Sequence, residues 1–219
     1  NWTMDGLQSK VINTSEGMEL IAGPHAFNDS SHTVLWTKKE FEGDIMIEYD
    51  YTRTDTAKRF VNILYFHASG SGDTEHPVDI TEWSESRKIP SMRTYFNNMN
   101  TYHVSYAAFG QKSLAGYEDY VRMRRYIPNN TGLEGTDIEG DQFKTGLFRP
   151  NVTYHIEIAK LGNLVQMMVQ NKVDKKDNAT YSWDISMVPK CKNGKIGLRH
   201  MYTRSARYKD FKVWKLSAL

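Results

Sequence analysis

Alternation of apolar and polar residues along the chain predicts β-strands. The clearest case runs from Gly43 to Arg53, where Ile, Ile, Tyr and Tyr at positions 45, 47, 49 and 51 alternate with residues that are mostly polar. Because successive side chains of a strand point to opposite faces of a sheet, the first set faces a core. Glu48 and Asp50 fall in the second set, on the face that points away from that core.

The same reading predicts about twelve short strands separated by turn signals. They include a nearly continuous apolar strand from Arg59 to Ala68 and a hairpin from Tyr154 to Asn171 that turns at Leu161-Gly162-Asn163. No long amphipathic helix is apparent. The pattern therefore predicts an all-β fold, a two-sheet antiparallel β-sandwich formed by a single domain over residues 1–219.

One long polar segment interrupts this pattern between Gly70 and Pro90. Segments of this length without periodicity are usually functional lids or disordered excursions, and this one has a possible short helix around Ile80 to Ser86. Ser91 to Asn100 is predicted to be an extended run that leads into the next strand, so that Arg93 and Tyr95 occupy alternate positions of one face.

Two strands that follow this segment carry the most distinctive chemistry. Residues 102–106 and 120–126 both alternate, with Val104, Tyr106, Val121 and Met123 on the predicted core side. The opposite, solvent-side set contains a histidine, two arginines and two tyrosines: His103, Ser105, Tyr120, Arg122, Arg124 and Tyr126. Arg binds carboxylates through two parallel hydrogen bonds, so this surface is suited to a sugar that bears a carboxylate.

Composition and charge exclude several classes of protein. Lys and Arg total 28 against 26 Asp and Glu, a net charge of +2, and we expect no nucleic-acid partner because no strongly basic stripe is present. No apolar run of about 18 residues predicts a membrane helix. The single cysteine, Cys191, allows no intrachain disulfide.

We expect a bacterial periplasmic or secreted location if an export signal has been removed, and a cytoplasmic one otherwise.

Several segments together resemble a known family. They are the opening Trp2 to Gly6, the strand His32 to Trp36, the run Asn100 to Tyr106, and the closing segments Gly194 to Met201 and Arg207 to Leu216. This set is similar to the family of unknown function typified by the YesU protein, which is found among saccharide-utilisation genes. The resemblance spans nearly the whole chain and implies a concanavalin-like lectin/glucanase jelly roll of the galectin type.

The residues on the solvent-side face favour β-elimination on a uronate-containing poly- or oligosaccharide. That reaction needs a base for the proton next to the carboxylate and groups that neutralise the carboxylate. We predict His103 as the base, Tyr120 as the proton donor and Arg122 as a further catalytic group on the carboxylate. The predicted substrate-binding residues are Arg124, Asn62, Glu48, Asp50, Arg93, Tyr95 and Tyr126. Jelly-roll polysaccharide lyases resemble this arrangement.

Two other functions remain open at this stage. A lectin-like carbohydrate-binding module would use the same tyrosines and arginines without turnover. A glycoside hydrolase is disfavoured, because the sandwich glucanase signature Glu-x-Asp-x-x-Glu lacks its third carboxylate after Glu48-Tyr49-Asp50.

We expect no cofactor. Zinc is disfavoured because the seven histidines show no paired ligand spacing. A structural calcium site has only weak candidates in Asp137, Glu139, Asp141 and Asp210. The expected partner is an anionic carbohydrate, and a homodimer is possible.

Overall fold

The computed structural model describes residues 1–110, 118–128 and 132–217. Over these residues the chain forms two antiparallel sheets that pack face to face, together with one short α-helix and two short 3₁₀ segments. The predicted all-β sandwich is confirmed. None of the helices in the described ranges has the length and apolar character needed to cross a membrane.

The strands of the first sheet lie in the spatial order β1 (Trp2–Asp5), β4 (Thr33–Thr37), β14 (Asn193–His200), β7 (Phe60–Gly70), β8 (Met99–Phe109), β9 (Asp119–Tyr126) and β10 (Gln142–Phe143), and the two-residue β5 (Phe41–Glu42) also pairs with β14. The strands of the second sheet lie in the order β13 (Asn178–Asp184), β12 (Leu164–Asn171), β11 (Thr153–Leu161), β6 (Ile45–Arg53), β15 (Ser205–Lys215), β3 (Gly17–Ile21) and β2 (Lys10–Thr14). The hairpin predicted between Tyr154 and Asn171 corresponds to β11 and β12.

The main core lies between the two sheets. The alternating residues of β6 supply Ile45, Ile47, Tyr49 and Tyr51, all at most 2% exposed, while Tyr102, Val104 and Tyr106 face them from β8. Two tyrosine hydroxyls inside this core pair across the sandwich, Tyr106 with Tyr208 at 3.2 Å between the two oxygens. The division of β6 and β8 into core and non-core sets therefore follows the predicted alternation.

A second apolar cluster lies on the outer face of the first sheet. Residues 71–98, which we call the cover segment, fold back over β4, β7 and β8 and pack Ile80, Trp83 and Tyr95 against Trp36 and Tyr65. The cover segment contains a 3₁₀ turn at Ser84–Arg87 and α1 at Met92–Asn98. The predicted extended run over residues 91–100 is wrong, since α1 places Tyr95 inward and leaves Arg93 exposed.

Candidate functional site

The strands of the first sheet align two rows of side chains on its outer face. One row across the sheet contains Trp36, Gly197, Tyr65, His103 and Arg124. The adjacent row contains Val34, Arg199, Ile63, Ser105 and Arg122. Each row draws on five strands, so residues that are far apart in the sequence become neighbours. His103 thereby acquires Tyr65 on one side and Arg124 on the other.

His103 is buried on this face, only 3% exposed. Its Nε2 lies 2.6 Å from the Ser105 hydroxyl oxygen, and its Nδ1 has no hydrogen-bond partner among the described residues. Burial holds the pKa of His103 well below its usual value, and the charges of Arg124, Arg199 and Arg122 lower it further. The imidazole is therefore neutral near pH 7 and has a nitrogen available to accept a proton.

Arg199 is also completely buried beside this histidine. Its guanidinium lies 4.4 Å from the centre of the Tyr95 ring, and its Nη2 donates to the carbonyl of Pro90 and to Nδ1 of His32, the latter at 2.7 Å. His32 can accept because burial, aided by the charge of Arg199, lowers its pKa to about 3. The Nε and Nη1 groups of Arg199 have no partner within the described part of the chain. They supply three unsatisfied N–H donors.

Two phenols complete the arrangement. Tyr65 and Tyr126 are both 0% exposed, and the ring of Tyr126 meets that of His103 edge to face at 5.0 Å between centroids. Burial raises the pKa of Tyr65, and neither phenol oxygen has a hydrogen-bond partner among the described residues. We call His103, Tyr65, Tyr126 and Arg199 the polar cluster.

Asp5 fixes the cover segment above the polar cluster. Its carboxylate accepts hydrogen bonds from Trp36 Nε1 at 2.7 Å, Arg87 Nε at 2.8 Å and the Tyr95 hydroxyl at 2.8 Å. Asp5 lies on β1, Trp36 on β4, and the other two donors lie in the cover segment, all of them buried. Buried donors need partners, so one carboxylate ties the cover segment to the edge of the first sheet.

The predicted solvent-side surface is therefore only partly solvent-accessible. His103, Ser105 and Tyr126 are buried, which contradicts their predicted exposure, and Phe96 of the cover segment packs edge to face against Tyr126 at 6.3 Å between ring centroids. No residue of the polar cluster is more than 3% exposed. A cleft of about 450 Å³ lies beside Asn97, Asn98 and Pro128, next to the end of β9 that carries Tyr126.

Tyr120, Arg122 and Arg124 lie on the more accessible part of the same face. Arg122 donates to Asp141 at 2.6 Å from Nε, and the Nη2 atom of Arg124 lies 2.8 Å from Asp137. The hydrogen bond to Asp141 raises the pKa of Arg122. Two of the weak calcium candidates, Asp137 and Asp141, are thus engaged in ion pairs with arginines.

Tyr120 is too far from His103 to act with it as predicted. Arg124 is the residue opposite His103, and Tyr120 lies four residues before Arg124 on β9. At about 3.3 Å per residue this separation is about 13 Å. Tyr65 and Tyr126 occupy the positions beside His103 instead.

Three of the predicted substrate-binding residues lie elsewhere in the sandwich. Glu48 and Asp50 are on the outer face of the second sheet, across the core from His103, where Glu48 pairs with Lys212 and Asp50 with His155 and Lys172. Asn62 points into the main core and donates to the Tyr51 hydroxyl. The prediction that Glu48 and Asp50 share a groove with His103 is wrong, because alternation fixes the face of a residue within its own sheet but not which sheet it joins. Asn62 belongs to the same sheet as His103 but lies on its core face.

Tyr95 and Arg93 also differ from their predicted roles. Tyr95 stacks on Tyr65 at 6.0 Å between ring centroids and so packs against the polar cluster. Arg93 is exposed on α1. Tyr65 and Arg199 were missed in the sequence. The position of Arg199 in the sequence was an indication of its importance, since this charged residue directly follows the apolar run of β14. A charge in such a run is buried, and a buried charge needs a partner.

A match to a family model identifies the family to which the chain belongs. Residues 1–213 match the family described as "Domain of unknown function (DUF1961)". The chain belongs to this family. The prediction of a family of unknown function is thus confirmed, and no curated protein matches the chain.

Several solved structures are similar to this DUF1961 chain. A protein of unknown function with galectin-like fold from Bacillus subtilis has 18% identity and a TM-score of 0.66, covering 97% of this chain and 88% of the other. The carbohydrate binding module CBM66 from Bacillus subtilis has 14% identity and a TM-score of 0.55, covering 98% and 95%. The VIP36 exoplasmic/lumenal domain, in its Ca²⁺/Man3GlcNAc-bound form, has 10% identity and a TM-score of 0.59, covering 100% and 85%. At these identities the likeness establishes the galectin-like, concanavalin-like fold.

Proposed function

We propose that this protein acts on carbohydrate at the polar cluster, as a lyase or dehydratase that performs β-elimination on a uronate-containing poly- or oligosaccharide. One observation carries the proposal. A neutral histidine, two protonated phenols and an arginine with unsatisfied donors are held together on the outer face of a lectin-like sandwich. Buried polar atoms without partners are costly, and a polar ligand would satisfy them.

His103 is the base of the proposed reaction. The reaction removes the proton on the carbon next to the uronate carboxylate and breaks the bond between the β-carbon and its oxygen substituent. Nδ1 of His103 takes that proton, because it is unpartnered and the imidazole is neutral. The low pKa of the free imidazole reflects burial first and then the charges of the nearby arginines. A bound carboxylate offsets those positive charges and so makes His103 a stronger base.

Tyr126 or Tyr65 is the proton donor. Burial raises the pKa of Tyr126 well above its ordinary value, and burial also raises the pKa of Tyr65. Both phenols therefore remain protonated and are acids rather than bases. One hydroxyl gives its proton to the leaving oxygen as the carbon–oxygen bond breaks. Transfer of the proton from His103 to the phenolate then restores both groups, so the reaction consumes no co-reactant.

Arg199 binds the carboxylate in this proposal. Its Nε and Nη1 donors are free, while Nη2 is held by Pro90 and His32. Stacking on Tyr95 and the bonds at Nη2 fix the guanidinium plane before any ligand arrives. A preorganised donor of this kind stabilises the negative charge that develops on the carboxylate oxygens in the enolate-like intermediate.

Carbohydrate binding without turnover is the second candidate. The burial of all four residues of the polar cluster weighs against turnover of a polysaccharide there, and a sugar bound on an exposed part of the sandwich would not need to reach His103. The similarity to a carbohydrate binding module and to a domain with bound Man3GlcNAc supports the same alternative. Hydrolysis receives less support, because none of the four residues of the polar cluster carries a carboxyl group.

The test is ultraviolet absorbance of the unsaturated uronate product over a panel of uronate-containing glycans and their oligosaccharides. We expect a rising signal for the wild-type protein and none for His103→Ala. His25→Ala is the matched control, since His25 is exposed and lies outside the polar cluster. If no substrate gives a signal while calorimetry detects binding to one of them, the protein is a binding module. Elimination that persists in the His103→Ala variant contradicts the assignment of the base.

A further inference from the structure

Four polar side chains form a compact group on the outer face of the second sheet. β6 and β11 are neighbours there, with Glu48 directly opposite Glu157 and Asp50 directly opposite His155. Two carboxylates placed opposite each other on adjacent strands repel one another. Lys212 offsets part of this repulsion through its contact with Glu48 at 2.8 Å. This group lies on the side of the sandwich away from the polar cluster.

The distances within the group match those of a metal-binding site. His155 Nε2 lies 3.3 Å from Glu157 Oε1, and ligand atoms of Glu48, His155 and Glu157 all lie within 4.8 Å of one another. In a tetrahedral zinc site with bonds of about 2.0–2.1 Å, two ligand atoms are about 3.3 Å apart. The His155–Glu157 separation already has this value, and Glu48 needs only a small side-chain movement.

The position of Asp50 beside His155 is a second feature of such a site. Asp50 Oδ1 lies 2.9 Å from His155 Nδ1. A carboxylate at one imidazole nitrogen orients the other nitrogen of a metal-binding histidine. Here that other nitrogen, Nε2, is the one that faces Glu157 Oε1.

We propose that Glu48, His155 and Glu157 bind a divalent transition-metal ion of the zinc class, with Asp50 as the residue that orients His155. Mixed imidazole and carboxylate ligands suit zinc, and three protein ligands leave a fourth position open. A carboxylate on the second imidazole nitrogen is the usual outer partner of a metal-bound histidine. Lys212 releases Glu48 when the ion binds, which is feasible because the Lys212 side chain is 53% exposed.

The sequence pattern gave little indication of this metal site. His155 and Glu157 are two residues apart on β11, while Glu48 comes from β6, more than a hundred residues earlier. The ligands meet only through the pairing of these two strands. The inference is independent of the proposed function, since the two groups of residues lie on opposite faces of the sandwich.

The experiment measures Zn²⁺ binding to the full chain, without a histidine tag, by equilibrium dialysis. The variants are His155→Ala, Glu157→Gln and Asp50→Asn, and the matched controls are the exposed His25→Ala and Glu82→Gln. We expect one Zn²⁺ per chain, at least tenfold weaker binding in His155→Ala and Glu157→Gln, and a loss of 10–100-fold in Asp50→Asn. Both controls bind as the wild type does. Thermal unfolding confirms that each variant is folded before dialysis.

Substitution of Co²⁺ gives a second, spectroscopic readout. Cobalt at a four-coordinate site with a nitrogen ligand produces visible absorption bands, which we expect in the wild type and not in His155→Ala. The proposal is overturned if the wild type binds no Zn²⁺. It is equally overturned if His155→Ala and Glu157→Gln bind Zn²⁺ as tightly as the wild type, because the ion then sits elsewhere.

Discussion

The indole of Trp36 lies directly over Gly197 on the neighbouring strand. A β-carbon at Gly197 would lie 2.4 Å from Cζ3 of that ring, and Trp36 is itself only 1% exposed. The glycine thus makes room for the indole to stack on Tyr65, with ring centroids 5.6 Å apart.

Gly197→Ala is expected to destabilise the protein, because the ring cannot move without losing its hydrogen bond to Asp5. Overpacking of this kind costs about 1–3 kcal/mol of the free energy of unfolding. Urea denaturation followed by tryptophan fluorescence measures it. Gly110→Ala is the control, since the nearest atom to its β-carbon is at 3.7 Å. Equal stability of the two variants contradicts the close packing.

Asp5→Ala is expected to release the cover segment. The change leaves three buried donors without an acceptor and removes the partner of the Arg87 charge, which is 1% exposed. Loss of one member of a buried ion pair costs about 3–5 kcal/mol. Hydrogen exchange measured by mass spectrometry should show faster exchange across residues 71–98 than in the exposed control Asp184→Ala. Uniform acceleration over the whole chain would instead indicate global destabilisation.

Acidification is expected to destabilise the protein before carboxylates begin to protonate. Burial, together with the charge of Arg204, lowers the pKa of His200 to about 3, although Asp55 opposes the effect. An unfolded histidine titrates near pH 6.5, so between the two values the unfolded chain binds a proton that the folded chain does not. The free energy of unfolding therefore decreases as the pH falls below about 6.5, by at most about 1.4 kcal/mol per pH unit for each such histidine.

Urea denaturation between pH 6 and pH 4.5 isolates this contribution. We expect His200→Gln to reduce the slope of stability against pH, because glutamine does not titrate. His25→Ala, which removes an exposed histidine, is measured alongside for comparison. The slope is compared rather than the absolute stability, since His200 also contacts the Tyr208 hydroxyl at 2.7 Å. An unchanged slope in His200→Gln contradicts a neutral buried histidine at this position.

Arg199→Lys and Tyr126→Phe are expected to affect carbohydrate turnover in different ways. Lysine keeps the charge but not the planar set of donors, so binding of the carboxylate weakens and KM rises at least tenfold. Phenylalanine keeps the ring packed against His103 and removes only the hydroxyl, so kcat falls about 100-fold or more if Tyr126 is the proton donor. If kcat is unaffected by Tyr126→Phe, the same measurement on Tyr65→Phe identifies the donor.

The sequence predicted most of the fold and part of the site. The strict alternation of β6, the β11–β12 hairpin and the two faces of β8 and β9 are local features, and the structure confirms them. The helix at 92–98 was missed although its signal was present. Met92, Tyr95, Phe96 and Met99 have the spacing of one helical face.

The remaining errors concern contacts between distant parts of the chain. Whether the outer face of β8 meets water depends on residues 71–98, and the fixing of those residues depends on Asp5. The neighbours of His103 depend on pairing of β7 with β8 and of β14 with β7. Alternation within one strand contains no information on these pairings, which is why Tyr120 was assigned the position that Tyr65 and Tyr126 occupy.

The placement of the two polar groups on opposite faces of the sandwich makes them thermodynamically separable. The sheets of a sandwich are about 10 Å apart, and the described partners of His103 and of His155 have no residue in common. Substitutions at such distances usually add to within about 0.5 kcal/mol. A double variant of His103 and Glu157 is therefore expected to equal the sum of the single variants, and either face can be altered by mutation while the other keeps its properties.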